Sequence, residues 1–285
     1  MGLALLSVLA VAAAPVAAAP IHHRAPRAAD VVRTLTVVAR DYAFDAADTV
    51  PAGRTLVRLV NRGRELHHAY LVRLAAGKTL ADLAAALRAG GPPPAWAHDP
   101  GGPNAAAPGG TSAAVVPLEP GAYALLCVIP SADGTPHVMK GMARPITVVP
   151  ARAVVPVART GATTTVAAPD VRLALRDYGF ALSRPLTAGR HVVRVTNDAA
   201  QPHEVFLARL APGKTAQDFV AWVERVQGPP PARPLGGVAP LGRGRSNDLP
   251  LDLAPGEYGL FCFVPDAKDG KPHVMHGMVR QITVR

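Results

Sequence analysis

The chain's two cysteines, Cys127 and Cys262, open near copies of one segment, CVIPSADGTPHVMKGM and CFVPDAKDGKPHVMHGM. Each copy adds a histidine, His137 or His273, and closes on a methionine, Met142 or Met278. Apart from Met1, every methionine of the chain lies in these two stretches: Met139, Met142, Met275 and Met278. Thiolate and thioether are soft donors and imidazole is intermediate, so the mixture suits a metal that cycles between Cu(I) and Cu(II). Zinc would use the His and Cys donors but gain little from Met. In GAYALLC the two-residue strand period places Tyr123, Leu125 and Cys127 on one side, with the thiol pointing inward; Tyr258, Leu260 and Cys262 repeat this. His67, from a distant strand end, can join Cys127, His137 and Met142 at a common point.

Positioning such donors falls to a unit that the chain writes twice. An offset of 136 residues superimposes RDYAF (Arg40–Phe44) on RDYGF (Arg176–Phe180), and HHAYLVRLAAGKT from His67 on HEVFLARLAPGKT from His203. PGAYALLC and PGEYGLFC match at an offset of 135. The units cover residues 29–150 and 163–285, joined by a Pro/Ala/Val-rich linker at 151–162. Within each, short β-forming runs alternate with turn signals. Thr79 with Asp82, and Thr215 with Asp218, form capping-box patterns that open one helix per unit. A Pro-rich loop follows each helix, then two strands around a Pro-Gly turn, then a closing strand. The pattern predicts an all-β fold of two tandem β-sandwiches, each with one inserted short helix.

Both units resemble the cupredoxin (plastocyanin/azurin-like) family. The resemblance is carried by an Asn several residues before a His (Asn61 and His67; Asn197 and His203), by PG-x-Y-x-x-x-C (Pro120 to Cys127; Pro255 to Cys262), and by H-x-x-x-G-M (His137 to Met142; His273 to Met278). It implies a Greek-key sandwich and a type 1 copper site, with His67, Cys127, His137 and Met142 as one ligand set. His203, Cys262, His273 and Met278 are the other. His68 adjoins His67, but only His67 aligns with His203. Nine residues separate Cys127 from His137 and ten separate Cys262 from His273, a longer loop than familiar cupredoxins use. The function implied is electron transfer or copper handling, with a redox partner protein or a copper donor or acceptor. Two other readings compete: a metal-free sandwich that has lost the site, and a multicopper oxidase or nitrite reductase-like enzyme. No His-x-His pair occurs, and Leu126, Val128, Phe261 and Phe263 flank the cysteines, which argues against the enzyme.

The net charge is +10, yet the basic residues are scattered and aromatics make up 5%, which argues against nucleic acid as a partner. The stretch MGLALLSVLAVAAAPVAAAP reads as a secretory signal over residues 1–19, implying a periplasmic or secreted protein. Its apolar run is short for a membrane span and is broken by Pro15. In an oxidising compartment lone cysteines need a protector, and a metal is one. His22 and His23 read as an incidental pair, His98 and His191 as surface residues, and Trp96 and Trp222 as packing. The Gly-Lys-Thr of AAGKT and APGKT lacks the upstream glycine of a phosphate loop and reads as a helix start. Met139 and Met275 form a second H-x-M pattern, with His276 beside it where the first unit has Lys140.

Overall fold

The structure is a computed structural model that describes residues 30–91, 93–152, 162–225 and 227–285. The expected signal at 1–19, His22, His23 and most of the linker lie outside the described residues. The first half contains β1 (Asp30–Arg40), β2 (Ala43–Asp45), β3 (Thr49–Pro51), β4 (Gly53–Asn61), β5 (Tyr70–Leu74), α1 (Leu80–Ala89), β6 (Ala97–Gly101), β7 (Thr111–Leu118), β8 (Gly121–Leu126) and β9 (Ala143–Val149). The second contains β10 (Thr163–Val166), β11 (Val171–Arg176), β12 (Gly179–Leu182), β13 (Gly189–Asn197), β14 (His203–Leu210), α2 (Ala216–Arg225), β15 (Ala232–Leu241), β16 (Ser246–Leu253), β17 (Gly256–Phe261) and β18 (Val279–Val284). The all-β expectation, with one short helix per half, is borne out.

Two sheets run through both halves. One follows the order β10-β1-β4-β7-β16-β13-β11-β12, with β2 hydrogen-bonded to β1; the other follows β18-β17-β14-β15-β6-β5-β8-β9-β3. The halves meet where β7 pairs with β16 and β6 with β15. Pairing is not antiparallel throughout, because β1 runs parallel to β4, β11 to β13 and β3 to β9. The sequence pattern had folded β6 and β15 into its Pro-rich loops. Their sequences, AHDPG and ARPLGGVAPL, carry the proline and glycine that normally punctuate strands. In β15 the glycine is required: Gly237 has φ +125°, and a Cβ there would lie 1.8 Å from the Val205 carbonyl oxygen.

Alternation builds the cores. In β4, Val57 and Leu59 face inward while Arg58 faces solvent. They pack with Leu35, Val37, Leu71, Tyr123 and Leu125, and the same cluster encloses Cys127 and Met142. The other face of β8 is buried too, since Ala124 and Leu126 pack with Leu83 of α1. That burial explains why β8 reads as a continuous apolar run, and fully burying a side chain such as Leu83 contributes about 1.5–3 kcal/mol. Thr79 caps α1 with the expected reciprocal box to Asp82, and Thr215 and Asp218 repeat the bonds at α2.

Polar contacts tie the halves together. Asp248, whose side chain is 4% exposed, accepts from Arg54 of the first half at 2.6 Å and from Arg194 at 2.7 Å. Arg245 pairs with Glu119 at 2.7 Å. Asn247 accepts from the Gly102 amide at 3.1 Å and donates to the Pro100 carbonyl at 2.9 Å. Asn104 donates to the buried Glu204 at 3.0 Å. His191, expected at the surface, is instead buried in β13. Its Nδ1 lies 2.7 Å from Asp170 and its Nε2 3.0 Å from the Thr187 carbonyl, so both nitrogens keep polar partners away from water. Among the described residues no helix is long and apolar enough to cross a membrane.

Candidate metal centres

Each half gathers its donors at one end of its sandwich. The first histidine is fixed by an asparagine at the end of the preceding long strand. Asn61 donates to the carbonyls of Glu65 at 2.7 Å and Ala106 at 2.8 Å, and accepts from the Gly63 amide at 2.8 Å. This holds the turn that delivers His67. Asn197 does the same for His203, donating to Gln201 and Leu241 at 2.9 and 2.7 Å.

The long loop from cysteine to second histidine goes out and comes back. Ser131 and Thr135 close its tip with an amide-to-carbonyl bond of 2.9 Å, and Pro130 and Pro136 pair at its neck. The His137 amide then bonds the Ile129 carbonyl at 3.0 Å, and the Val138 amide bonds the Cys127 carbonyl at 2.7 Å. The extra residues therefore form a small ribbon, and His137 returns beside Cys127. A 3-10 turn, His137–Lys140, ends at Gly141 with φ 96°, and the Met142 amide bonds back to the His137 carbonyl at 3.0 Å. Asp266, Lys271, His273 and Val264 repeat the arrangement in the second half.

The result is two buried clusters, His67–Cys127–His137 and His203–Cys262–His273, with donor atoms within 4.8 Å of one another. In the first, the Nδ1 atoms of His67 and His137 lie 3.1 Å apart, and Cys127 Sγ is 3.3 Å from His137 Nδ1. In the second, Cys262 Sγ is 3.3 Å from His273 Nδ1 and 3.8 Å from His203 Nδ1. Met142 and Met278 are fully buried in the same cores as the cysteines, and the Cys127 amide bonds the Met142 carbonyl at 3.2 Å. His68 turns away: its Nε2 accepts from the Val128 amide at 3.0 Å, and burial pushes its pKa down to about 3. Both thiols are free and buried. The Glu204 amide donates to the Cys262 sulfur at 3.4 Å.

The outer edge of each imidazole faces a carboxylate. His67 Nε2 lies 3.1 Å from Asp41, His137 Nε2 2.8 Å from Glu65, and His203 Nε2 3.0 Å from Asp177. His273 Nε2 is 3.6 Å from Asp266. A carboxylate only accepts, so Nε2 carries the proton and Nδ1 turns a lone pair inward. Tyrosines cover these edges. Tyr42 donates to Glu65 at 2.8 Å with its ring 5.3 Å from that of His137, and Tyr178 donates to Asp266 at 2.5 Å with its ring 5.6 Å from His273. Both tyrosines adopt the left-handed region, φ 63° and 60°, a conformation a bulky residue takes only when its surroundings hold it there. Neither the tyrosines nor the carboxylates are among the ligand types that the sequence pattern predicts. The signal that marks Asp41, Tyr42, Asp177 and Tyr178 was present in the repeated RDY of both units.

The electrostatics follow from burial. Desolvation lowers the pKa of His67 and of His203 and brings His273 to about 4, so the rings are held neutral. Burial pushes the Cys127 thiol up to about 12 and raises that of Cys262 as well. Burial opposes ionisation of Asp41, but bonds from the Arg64 amide, His67 and the Glu65 amide outweigh it and hold the carboxyl below its usual value. Two imidazole lone pairs facing each other at 3.1 Å, with a thiol beside them, repel unless a cation stands between. A transition metal roughly 2.0–2.3 Å from each donor fits that spacing. Three of the four expected ligands in each half are thus brought to one point, and each methionine lies in the same core. Met139 and Met275 are 45% and 48% exposed, away from the buried donors.

No protein-family model matches the chain, and no curated protein matches it. Among solved structures, auracyanin A, described as a "blue" copper protein from Chloroflexus aurantiacus, matches at 21% identity and a TM-score of 0.30 over 41% of this chain and 98% of its own. Reduced auracyanin from Roseiflexus castenholzii matches at 19% and 0.28 over 40% and 94%. The copper-containing nitrite reductase of Thermus scotoductus matches at 14% and 0.23, over 88% of this chain and 61% of its own. Strand pattern, loop path and paired donor sets together make the chain a doubled all-β fold in which each half closes one buried His-Cys-His cluster.

Proposed function

We propose that each half holds one copper ion and that the chain is an exported electron-transfer or copper-handling protein. The observation that supports this best is the convergence of two Nδ1 lone pairs and one thiol in each closed pocket. His67, Cys127 and His137 would hold one ion, and His203, Cys262 and His273 the other, with Met142 and Met278 in the same cores as candidate thioether donors. Bound copper supplies a one-electron Cu(I)/Cu(II) couple. The chain's own part is to keep the donors still. Asn61 and Asn197 fix the first histidine, the backbone bonds of the loop fix the second, and Asp41, Glu65 and Asp177 hold the Nε2 protons outward. The Glu204 amide, bonded to the Cys262 sulfur, would draw charge from a thiolate there and so tune the potential of a bound ion. The donors are fully buried, which favours electron transfer over turnover of a bound substrate.

The full chain expressed with copper tests this reading. Two coppers per chain and an intense thiolate-to-Cu(II) charge-transfer band are expected. Retention of copper as Cu(I) that stays colourless after an oxidant is added selects copper handling over electron transfer. A chain that retains no copper overturns the proposal and leaves the metal-free sandwich.

A further inference from the structure

The residue after each first histidine differs between the halves. The offset that aligns His67 with His203 sets His68 against Glu204. Both side chains are buried, and both do the same mechanical job. The Val128 amide, next to Cys127, donates to His68 Nε2 at 3.0 Å, and the Phe263 amide, next to Cys262, donates to Glu204 Oε1 at 2.9 Å. Each bond pins the residue that follows the thiol.

Their charges are not the same. A ring nitrogen that accepts from an amide carries a lone pair, so the buried His68 is neutral. Glu204 takes an N–H donor on each oxygen, Phe263 on Oε1 and Asn104 on Oε2 at 3.0 Å, and two such donors favour the carboxylate. Burial raises its pKa to about 7, and these two bonds pull against that rise. Asn104 belongs to the first half, and its Nδ2 also reaches the Val205 carbonyl at 3.1 Å, so the junction between halves holds this carboxylate in place. The other carboxylates balance: Asp41 and Glu65 stand outside the first pocket, Asp177 and Asp266 outside the second. Glu204 is one negative charge more, and it is buried, where screening is least.

We propose that Glu204 makes the second pocket the one that favours Cu(II), while the neutral His68 leaves the first as the one that favours Cu(I), so that an electron held by the chain resides in the first half. This rests on the buried pockets binding copper. A fixed negative charge stabilises the more highly charged ion of a couple and lowers its potential. The main-chain amide of Glu204, 3.4 Å from the Cys262 sulfur, acts in the opposite sense, but a peptide dipole is a weaker source than a whole charge.

The test is a redox titration of the full chain loaded with copper, followed by its charge-transfer absorption at about pH 9, above the Glu204 pKa. Two one-electron steps are expected, separated by at least tenfold in the Cu(II)/Cu(I) ratio, or about 59 mV. Cys127→Ser should leave only the lower step and Cys262→Ser only the higher. Glu204→Gln keeps an acceptor for the Phe263 amide and removes the charge. It should raise the lower step by at least tenfold in the same ratio and leave the higher one in place, and His68→Glu should lower the higher step. A merely structural Glu204 would move the unfolding midpoint and not the potential. The parent chain and the two Cys variants decide the order of the steps even where Glu204→Gln fails to fold. Coincident or absent steps, a lower step that belongs to the first half, or an unmoved potential in Glu204→Gln overturns the proposal while the pockets still hold copper. A chain that retains no copper overturns the reading beneath it as well, so the two failures are told apart by metal analysis.

Discussion

Cys127 and Cys262 sit in surroundings that keep a lone thiol protonated, since burial lifts the pKa of Cys127 to about 12. A metal must therefore displace a proton to take the thiolate, and loading at neutral pH should release one proton per site into weakly buffered solution. Cys127→Ser and Cys262→Ser should each lower bound copper from two equivalents to one, measured by metal analysis, and the double variant should bind none in the buried pockets. The sulfur was legible because both copies place Cys, His and Met in the same short run. Asp41 and Asp177 were marked only by the repeated RDY, and Glu65 and Asp266 by nothing local, because each acts on a ring delivered by another loop. Between His67 and His68 the strand end alone does not decide; the register against Ala106 does, turning His67 to the pocket and His68 to the Val128 amide.

The strands with ordinary β-forming sequences were readable, as were both helices from their caps. β6 and β15 were not, because their Pro and Gly content serves the join between halves and not local propensity. Gly237→Ala in β15 should cost about 3 kcal/mol or more in denaturant unfolding, since a Cβ would strike the Val205 carbonyl and φ is +125°. β6 also holds Asp99, whose carboxyl burial raises above 3.8, while the hydrogen bond from Tyr70 works in the opposite direction. The folded state then holds this proton more tightly than the unfolded chain. The stability it contributes is present below pH 3.8 and lost as pH rises through the folded value. Asp99→Asn should flatten that part of the stability profile, measured by urea unfolding across the acid range.

At the scale of the molecule, the repeat was legible but its fusion was not: internal similarity marks two copies and says nothing of whether they share sheets. Because both sheets cross the junction, thermal unfolding by calorimetry should show one cooperative transition and not two. Asp248→Ala leaves Arg54 and Arg194 facing each other without their shared carboxylate, and should lower stability by about 3 kcal/mol while keeping the single transition. Two separate transitions in the parent chain would refute this picture.

The shared sheets also have a consequence for biosynthesis. When a ribosome has released only the first half, β6 and β7 still lack β15 and β16 and display open rows of amides and carbonyls. Such rims recruit strands from other nascent chains. The interval until residue 253 emerges is thus the chain's most vulnerable moment, and slowing translation beyond the midpoint should send more of it into inclusion bodies.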